Sequence, residues 1–309
     1  ILIVDDGSTK DRTPQLPDEY QEKYPGIIRA IHQENGGHGA AVNAGLRNAS
    51  GLYYKVIDSD DWADTKALKA IVSRLKELEE AGTPVDMLLA DFVYDKEGAR
   101  HKKVVHFRGV FPVNQVFDWS AMGHMKETQY ILMHNIFYRT RTARESGMVL
   151  PKHTFYVDNL FAFQPFPYVK KLYYMDVVFY HYYIGREDQS VNEQVMIGRI
   201  DQQIKVNRMM IDIMNRQNFE GLDPHVEKYM YIYLDKIMTV TSSLLLVSGT
   251  KVNLEKKKKI WAYLKKTSPK MYRRLRWSRL GISMNLPGWL GRKLSVAGYK
   301  AARKLVGFN

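Results

Sequence analysis

The sequence predicts an α/β fold: a mainly parallel sheet flanked by helices, followed by a helical C-terminal region with a basic amphipathic tail. Three observations predict it. First, two acidic clusters each close an apolar run, Ile1-Leu2-Ile3-Val4 leading into Asp5-Asp6-Gly7-Ser8 and Leu52-Tyr53-Tyr54-Lys55-Val56-Ile57 leading into Asp58-Ser59-Asp60-Asp61. Short apolar runs bounded by turn formers read as buried strands. Second, strand and helix patterns alternate from Ile1 to about Asp95, the rhythm of βαβ units with helices on both faces. Third, residues 251–309 hold seventeen Lys or Arg against one acid, Glu255, a net charge of +16; the chain totals +13, which leaves about −3 for residues 1–250.

In order along the chain, Thr13 to Tyr24 reads as a short helix and Ile27 to Ile31 as a strand. A glycine-rich turn, Asn35-Gly36-Gly37-His38-Gly39, opens a helix over Ala40 to Asn48. Leu68, Ile71, Val72, Leu75 and Leu78 keep helical spacing, and Gly82 ends that helix. Val85 to Tyr94 is a strand. Further strands are expected at Lys103–Phe107, Ile131–Tyr138 and Tyr173–Tyr183, with short helices at Arg141–Ser146 and Asn159–Gln164. Long helices are expected at Glu193–Arg216 and Pro224–Val247, then two more in the tail, separated near 281–288. The expected division is 1–190 catalytic, 191–250 helical extension and 251–309 basic tail.

Composition narrows the chemistry. The chain has no cysteine, which excludes disulfides, thiolate zinc sites and cysteine nucleophiles, and fits a cytoplasmic protein without requiring one. No uninterrupted run of about 18 apolar residues exists, so no membrane-spanning helix is expected. No secretory signal precedes the first strand. The chain begins inside what reads as a buried strand, so the expectation is that the native N-terminus lies upstream.

In open α/β sheets, ligands bind beyond the carboxyl ends of the strands. Carboxylates at i and i+2 of a strand end share one side and can hold a hard cation with its phosphates, so Asp58 and Asp60, with Asp61, are candidate ligands for Mg²⁺ or Mn²⁺. The competing reading is a solvated acidic turn, with Asp61 and Asp64 serving the following helix dipole. Asp6 can accept hydrogen bonds from a base or ribose, while Gly7 and Ser8 allow close backbone approach or simply form a turn. The Asn35–Gly39 loop, ahead of its helix, can offer N–H groups to an anion.

Taken in order, these segments resemble glycosyltransferase family 2, inverting enzymes of GT-A fold that use nucleotide-diphosphate sugars. The resemblance rests on Ile3-Val4-Asp5-Asp6-Gly7-Ser8-Thr9, on Asn35-Gly36-Gly37-His38-Gly39-Ala40-Ala41-Val42-Asn43-Ala44-Gly45 and on Asp58-Ser59-Asp60-Asp61. Phe155-Tyr156-Val157-Asp158-Asn159 and Gly185-Arg186-Glu187-Asp188-Gln189-Ser190 complete it, over about residues 1 to 190. It implies that Asp6 contacts the base, Asp58 lies near the ribose, and Asp60, with Asp61 as substitute, holds the metal. It implies further that residues Asn35 to Asn43, including His38, line the donor pocket. Asp158 falls at the position of the catalytic base, and Arg186, Gln189 and Ser190 belong to a loop over the diphosphate. Two residue-level alternatives stand beside these: Asp158 as a helix N-cap, and Arg186 in a surface ion pair with Glu187 or Asp188.

The chain departs from the family pattern at Val157, where members often carry Glu, and at Val42, where they often carry Arg. The family's first strand and helix, which precede Asp-Asp-Gly-Ser, are also not in this sequence, so weak donor binding is expected of it.

The resemblance implies a donor of nucleotide-diphosphate sugar, by family frequency UDP-sugar, and a saccharide or lipid-linked acceptor, in bacterial surface glycan or glycolipid synthesis. Alternatives are a nucleotidyltransferase on a related sheet, for which no basic glycine-rich activating loop is visible, and a non-catalytic membrane scaffold. In 289–308, Leu290, Leu294, Ala297, Ala301, Leu305 and Phe308 form one helical stripe flanked by Lys293, Lys300 and Lys304. Such a helix can lie at an anionic membrane surface with Trp261, Trp277 and Trp289 in the headgroup zone, or pack on the protein itself. The expectation is a peripheral protein at the cytoplasmic, inner face of a plasma membrane. No nucleic-acid partner is expected, since no recognition motif accompanies the basic tail. His134 and the aromatic stripe at 179–183 are assigned structural roles.

Overall fold

A computed structural model describes residues 1–96, 102–126, 129–185 and 192–306. The chain runs β1 (Leu2–Asp5), α1 (Gln15–Lys23), β2 (Arg29–His32), α2 (His38–Asn48), β3 (Tyr53–Tyr54), β4 (Trp62–Ala63), α3 (Thr65–Glu80) and β5 (Met87–Lys96). Then come β6 (Lys103–Val105), β7 (Val116–Phe117), a 3₁₀ turn at Met133–Asn135, β8 (Ile136–Arg139), α4 (Thr140–Glu145), α5 (Asp158–Phe163) and β9 (Leu172–Ile184). The remainder is helical: α6 (Glu193–Gly198), α7 (Ile200–Arg216), α8 (Pro224–Ser248), α9 (Lys251–Thr267), α10 (Pro269–Arg276), α11 (Arg279–Met284) and α12 (Gly288–Val306).

The α/β class, with helices on both sides of a central sheet and a helical region after it, is as the sequence predicts. The pairing within the sheet is mixed. β5 and β9 run parallel over ten residue pairs from Met87↔Leu172 to Lys96↔Ile184, while β1 and β2 pair in parallel as a separate two-stranded sheet. β8 is antiparallel to both β3 and β5, and the short β4, β6 and β7 also pair antiparallel. Direct returns of the chain, not only helical crossovers, therefore build the second half of the sheet.

On one face lies α3, whose buried residues are Ala67, Ile71, Leu75 and Leu78. Leu68 and Val72, expected in that stripe, are exposed. Asp64 sets the register as N-cap, its carboxylate accepting Ala67 N–H at 2.7 Å, and Gly82 at φ +68 closes the helix. The other face packs on α5, α7 and α8 through Tyr138, Phe161, Phe163, Phe166, Tyr229 and Tyr233. That same apolar cluster extends into α9 and α10 through Trp261, Leu264, Met271 and Leu275, so residues 1–190, 191–250 and 251–309 share one core.

Several sequence expectations shift. The apolar run 52–57 pairs as a strand only at Tyr53 and Tyr54. The helix expected over 193–216 breaks at Arg199 into α6 and α7, and the tail forms four helices where two were expected. β1 is half-buried apart from Asp5, because β2 is its only strand partner among the described residues. α8, contrary to expectation, is long and apolar enough to cross a membrane, but 72% of its most apolar window is buried inside the protein. Burying both the sheet-facing and tail-facing sides of one helix requires apolar residues nearly all round it.

Candidate active site

β1 delivers Asp5 and Asp6 to the turn that precedes α2. Asp6 is not left open: its carboxylate accepts N–H from Gly36 at 3.0 Å and from Gly37 at 2.6 Å, and Gln33 Nε2–H as well. Asn35 Nδ2 donates back to the Asp6 carbonyl at 2.9 Å. The anion held by the glycine-rich loop is thus the chain's own Asp6. Gly7 makes this approach possible, with φ +71 and a position where a Cβ would sit 2.8 Å from Asn35 N. Ser8 N–H closes the turn on Asp5 at 3.0 Å. Asn43 faces elsewhere: its amide exchanges two hydrogen bonds with the backbone of Leu150, at 2.8 and 2.9 Å, which fastens α2 to the 150 segment.

His38, the first residue of α2, bonds Asp58 Oδ1 through Nε2 at 2.9 Å. Burial pulls its pKa down, but the Asp58 bond and the charges of Asp58, Asp158 and Asp60 outweigh this and hold it above the usual histidine value. Carboxylates separated by some hundred residues therefore act on one imidazole. Asp158 is the first residue of α5. It is not the N-cap; Val157 takes that place and makes no side-chain capping bond. Burial, with Asp58 nearby, raises the Asp158 pKa above the ordinary carboxylate value against the opposing pull of His38.

The acidic cluster at 58–61 does not behave as a strand end. Asp61 N–H donates to Asp58 C=O at 3.1 Å, a β-turn that brings residues i and i+3 together and leaves Ser59 and Asp60 exposed at its corner. The shared side expected for i and i+2 belongs to Asp58 and Asp61. Their carboxylates meet the His134 imidazole, with one potential ligand atom from each residue within 4.8 Å of the others. Asp60 lies outside that group and acts on it through its charge.

His134 was not expected here. It is only 7% exposed, and its Nδ1 has no hydrogen-bond partner. The ring lies between Tyr180 and Tyr182, each at 4.6 Å centroid distance. Burial drives its pKa down to about 4, so the imidazole is neutral and carries a lone pair. Tyr180 packs in the core as expected and also serves the site: its hydroxyl donates to Asp61 at 2.6 Å and accepts Asp58 N–H at 3.2 Å. Tyr183 N–H holds the other Asp61 oxygen at 2.8 Å. Burial and the neighbouring charges of Asp60 and Asp58 nevertheless raise the Asp61 pKa to about 6.

Lys55 supports the group from beneath. Its ammonium donates to the carbonyls of Met133 at 2.9 Å and His134 at 2.6 Å, and lies 4.9 Å from the Tyr180 ring centroid. Burial lowers its pKa to about 7, against the attraction of Asp58 and Asp61. A lysine interrupting an apolar run was the sequence signal for it. Two carboxylates and one neutral imidazole with an orphaned nitrogen fit a divalent cation, and the nitrogen favours Mn²⁺ over Mg²⁺. Arg186 and Ser190 lie outside the described residues.

Known proteins resemble this chain in sequence and fold. The model of the family described as Glycosyl transferase family 2 matches residues 1–144. EpsH of Bacillus subtilis is 27% identical over 60% of this chain and 52% of its own length. The minor teichoic acid biosynthesis protein GgaA of the same organism is 28% identical over 52% of this chain and 34% of its own. The chain thus spans about half or less of these relatives. The solved structure of Staphylococcus aureus TarS 1-349 superposes with a TM-score of 0.66 at 17% identity, over 98% of this chain and 80% of that one. The fold is shared with that structure, and residues 1–144 match the model of glycosyltransferase family 2.

Proposed function

We propose that this chain transfers a sugar from a nucleotide-diphosphate sugar, a UDP-sugar by family frequency, to a hydroxyl of a saccharide or lipid-linked acceptor, with inversion, in bacterial cell-surface glycan synthesis. The observation that carries the reading is the convergence of Asp58, Asp61 and His134, with Asp158 and Asp58 acting on the same His38. The names of similar proteins support it: GgaA is a teichoic acid biosynthesis protein, and TarS, 24% identical over 62% of this chain, is a poly(ribitol-phosphate) β-N-acetylglucosaminyltransferase.

In this reading Asp58, Asp61 and His134 would hold Mn²⁺, which when bound would supply Lewis-acid neutralisation of the leaving diphosphate. Asp6, Gly7, Ser8 and the turn at Asn35 to His38 flank the nucleoside. Asp158 accepts the acceptor's hydroxyl proton as its oxygen bonds to the anomeric carbon and the bond from that carbon to the diphosphate oxygen breaks. A base with a raised pKa suits this role, because it binds the proton more strongly than an ordinary carboxylate. His38, whose protonated form is favoured by its carboxylate neighbours, would add positive charge on the donor side. The reaction takes place at the inner face of the plasma membrane, to which the +16 segment 251–309 is drawn.

The test is a panel of nucleotide sugars with Mn²⁺, read as released nucleoside diphosphate, together with Mn²⁺ binding followed by electron paramagnetic resonance. Asp158→Asn is expected to abolish transfer while leaving Mn²⁺ and nucleotide binding in place. His134→Ala and Asp61→Asn are expected to weaken Mn²⁺ binding. Unchanged Mn²⁺ affinity in both would refute the metal assignment, and undiminished transfer by Asp158→Asn would refute the base.

A further inference from the structure

α12 packs on the protein by its small and polar side. Gly291 and Ser295 are buried there; Ser295 Oγ–H faces the carbonyls of Ser283 and Gly291, and Arg303 pairs with Glu193 at 2.7 Å. The apolar stripe points the other way. Leu290 is 63% and Leu294 58% exposed, and Trp289, Ala297 and Ala301 are exposed with them. A helix that turns its leucines out and its glycine and serine in is reversed relative to an ordinary surface helix. Of the three tryptophans expected at a headgroup zone, Trp261 is buried, its indole N–H bonded to Ser242 at 3.0 Å; Trp277 and Trp289 are exposed. The side chains of Lys304 and Leu305, and all of Phe308, lie outside the described part.

Beside the stripe runs an open groove of about 530 Å³ between α12 and the junction of α8 and α9. Its floor is apolar, with Leu246, Leu254 and Val296, and its rim carries Arg292, Lys293 and Lys300. The Lys293 ammonium stands 3.9 Å from the Trp289 ring centroid. An apolar floor below a cationic rim matches a molecule with a hydrocarbon part and an anionic head, and its volume falls in the range of ligand sites.

We propose that α12 is a membrane-docking helix: Trp289, Leu290 and Leu294 enter the acyl boundary of an anionic bilayer, and the groove seats the phosphate headgroup of one phospholipid against Arg292, Lys293 and Lys300. The occupant follows from charge complementarity, since the exposed Arg292, Lys293 and Lys300 flank the outward apolar stripe, in a segment whose net charge is +16. The proposal rests on residues 251–309 facing a membrane and is independent of the transferase chemistry.

Deleting 251–309 would strip buried side chains from the core, so the test uses point variants of the whole chain. Wild type, Leu290→Glu/Leu294→Glu, and a control of equal charge and spacing on exposed positions of α3, Leu68→Glu/Val72→Glu, are sedimented with phosphatidylglycerol/phosphatidylcholine vesicles and with phosphatidylcholine alone. Circular dichroism and thermal melting confirm that each is folded. The wild type and the α3 control are expected to bind the anionic vesicles, and the α12 variant to bind at least about tenfold more weakly. Arg292→Gln/Lys293→Gln/Lys300→Gln is expected to erase the preference for anionic lipid. Salt-sensitive binding that Leu290→Glu/Leu294→Glu leaves unchanged would overturn the α12 proposal while the charge-based membrane reading stood. No binding by the wild type would overturn both. Self-association without lipid that the same variant abolishes would assign the stripe to a second copy of the chain and overturn the proposal.

Discussion

At the residue scale, the site turns on two side chains whose chemistry depends on where they are buried. Lys55 fills the carbonyls of the turn that presents His134, so Lys55→Met leaves two buried acceptors without a donor. The expected cost is about 2–3 kcal/mol in urea denaturation, with Mn²⁺ affinity reduced about 10- to 100-fold because an outer support of a ligand is lost. A variant of wild-type stability and wild-type Mn²⁺ affinity would show that the lysine supports nothing. Asp158 gives a pH dependence. Its pKa is raised, chiefly by burial, so it stays protonated to a higher pH than an ordinary aspartate. As a base it must be ionised, so kcat/KM should fall on the acid side at a pH above the ordinary range near 3.8. An acid limb at or below that value would remove Asp158 from the role. Linkage gives a second sign: a raised carboxylate pKa lowers stability at neutral pH and ceases to do so below the unfolded-state pKa. Asp158→Asn should therefore melt higher than wild type at pH 7 and equally at acid pH.

At the scale of elements, local rules set most boundaries and packing sets the rest. α3 begins where Asp64 caps it and ends at Gly82, both readable from residue type. Asp64→Ala should cost about 1 kcal/mol in chemical denaturation; an unchanged midpoint would mean the helix start is fixed by packing alone. The inward stripe of α3 was legible only to within one position. Ala67 is short enough to approach the sheet, so the helix turns it inward and leaves Leu68 and Val72 in solvent. The turn at 58–61 was misread for a similar reason. Its residues have strand-end composition, but an i to i+3 hydrogen bond replaces strand pairing, and the carboxylates that meet are Asp58 and Asp61. In the Asn35–Gly39 loop the N–H groups of Gly36 and Gly37 go to Asp6, a long-range partner that no local pattern names.

At the scale of the whole molecule, the basic tail and residues 1–190 share one packed core. Leu275 of α10 is 1% exposed within the cluster that also contains Tyr138 of the sheet. Leu275→Ala is expected to destabilise the chain by about 2–5 kcal/mol in a single cooperative transition seen by both near- and far-ultraviolet circular dichroism. Separate transitions for sheet and tail would contradict a shared core. The sequence by itself determined the α/β class, the order of most elements, the resemblance of about residues 1–190 to a transferase family and the charge asymmetry between body and tail. Each of these is carried by local periodicity, turn chemistry or composition. Only the tertiary structure decided that Asp58 and Asp61 meet His134 over Lys55, that Asp158 and Asp58 share His38, that Asp6 braces its own loop, and that α12 turns its leucines outward. These facts depend on which distant surfaces are pressed together and which groups lose water there, and burial sets protonation and pairing only after the chain has closed.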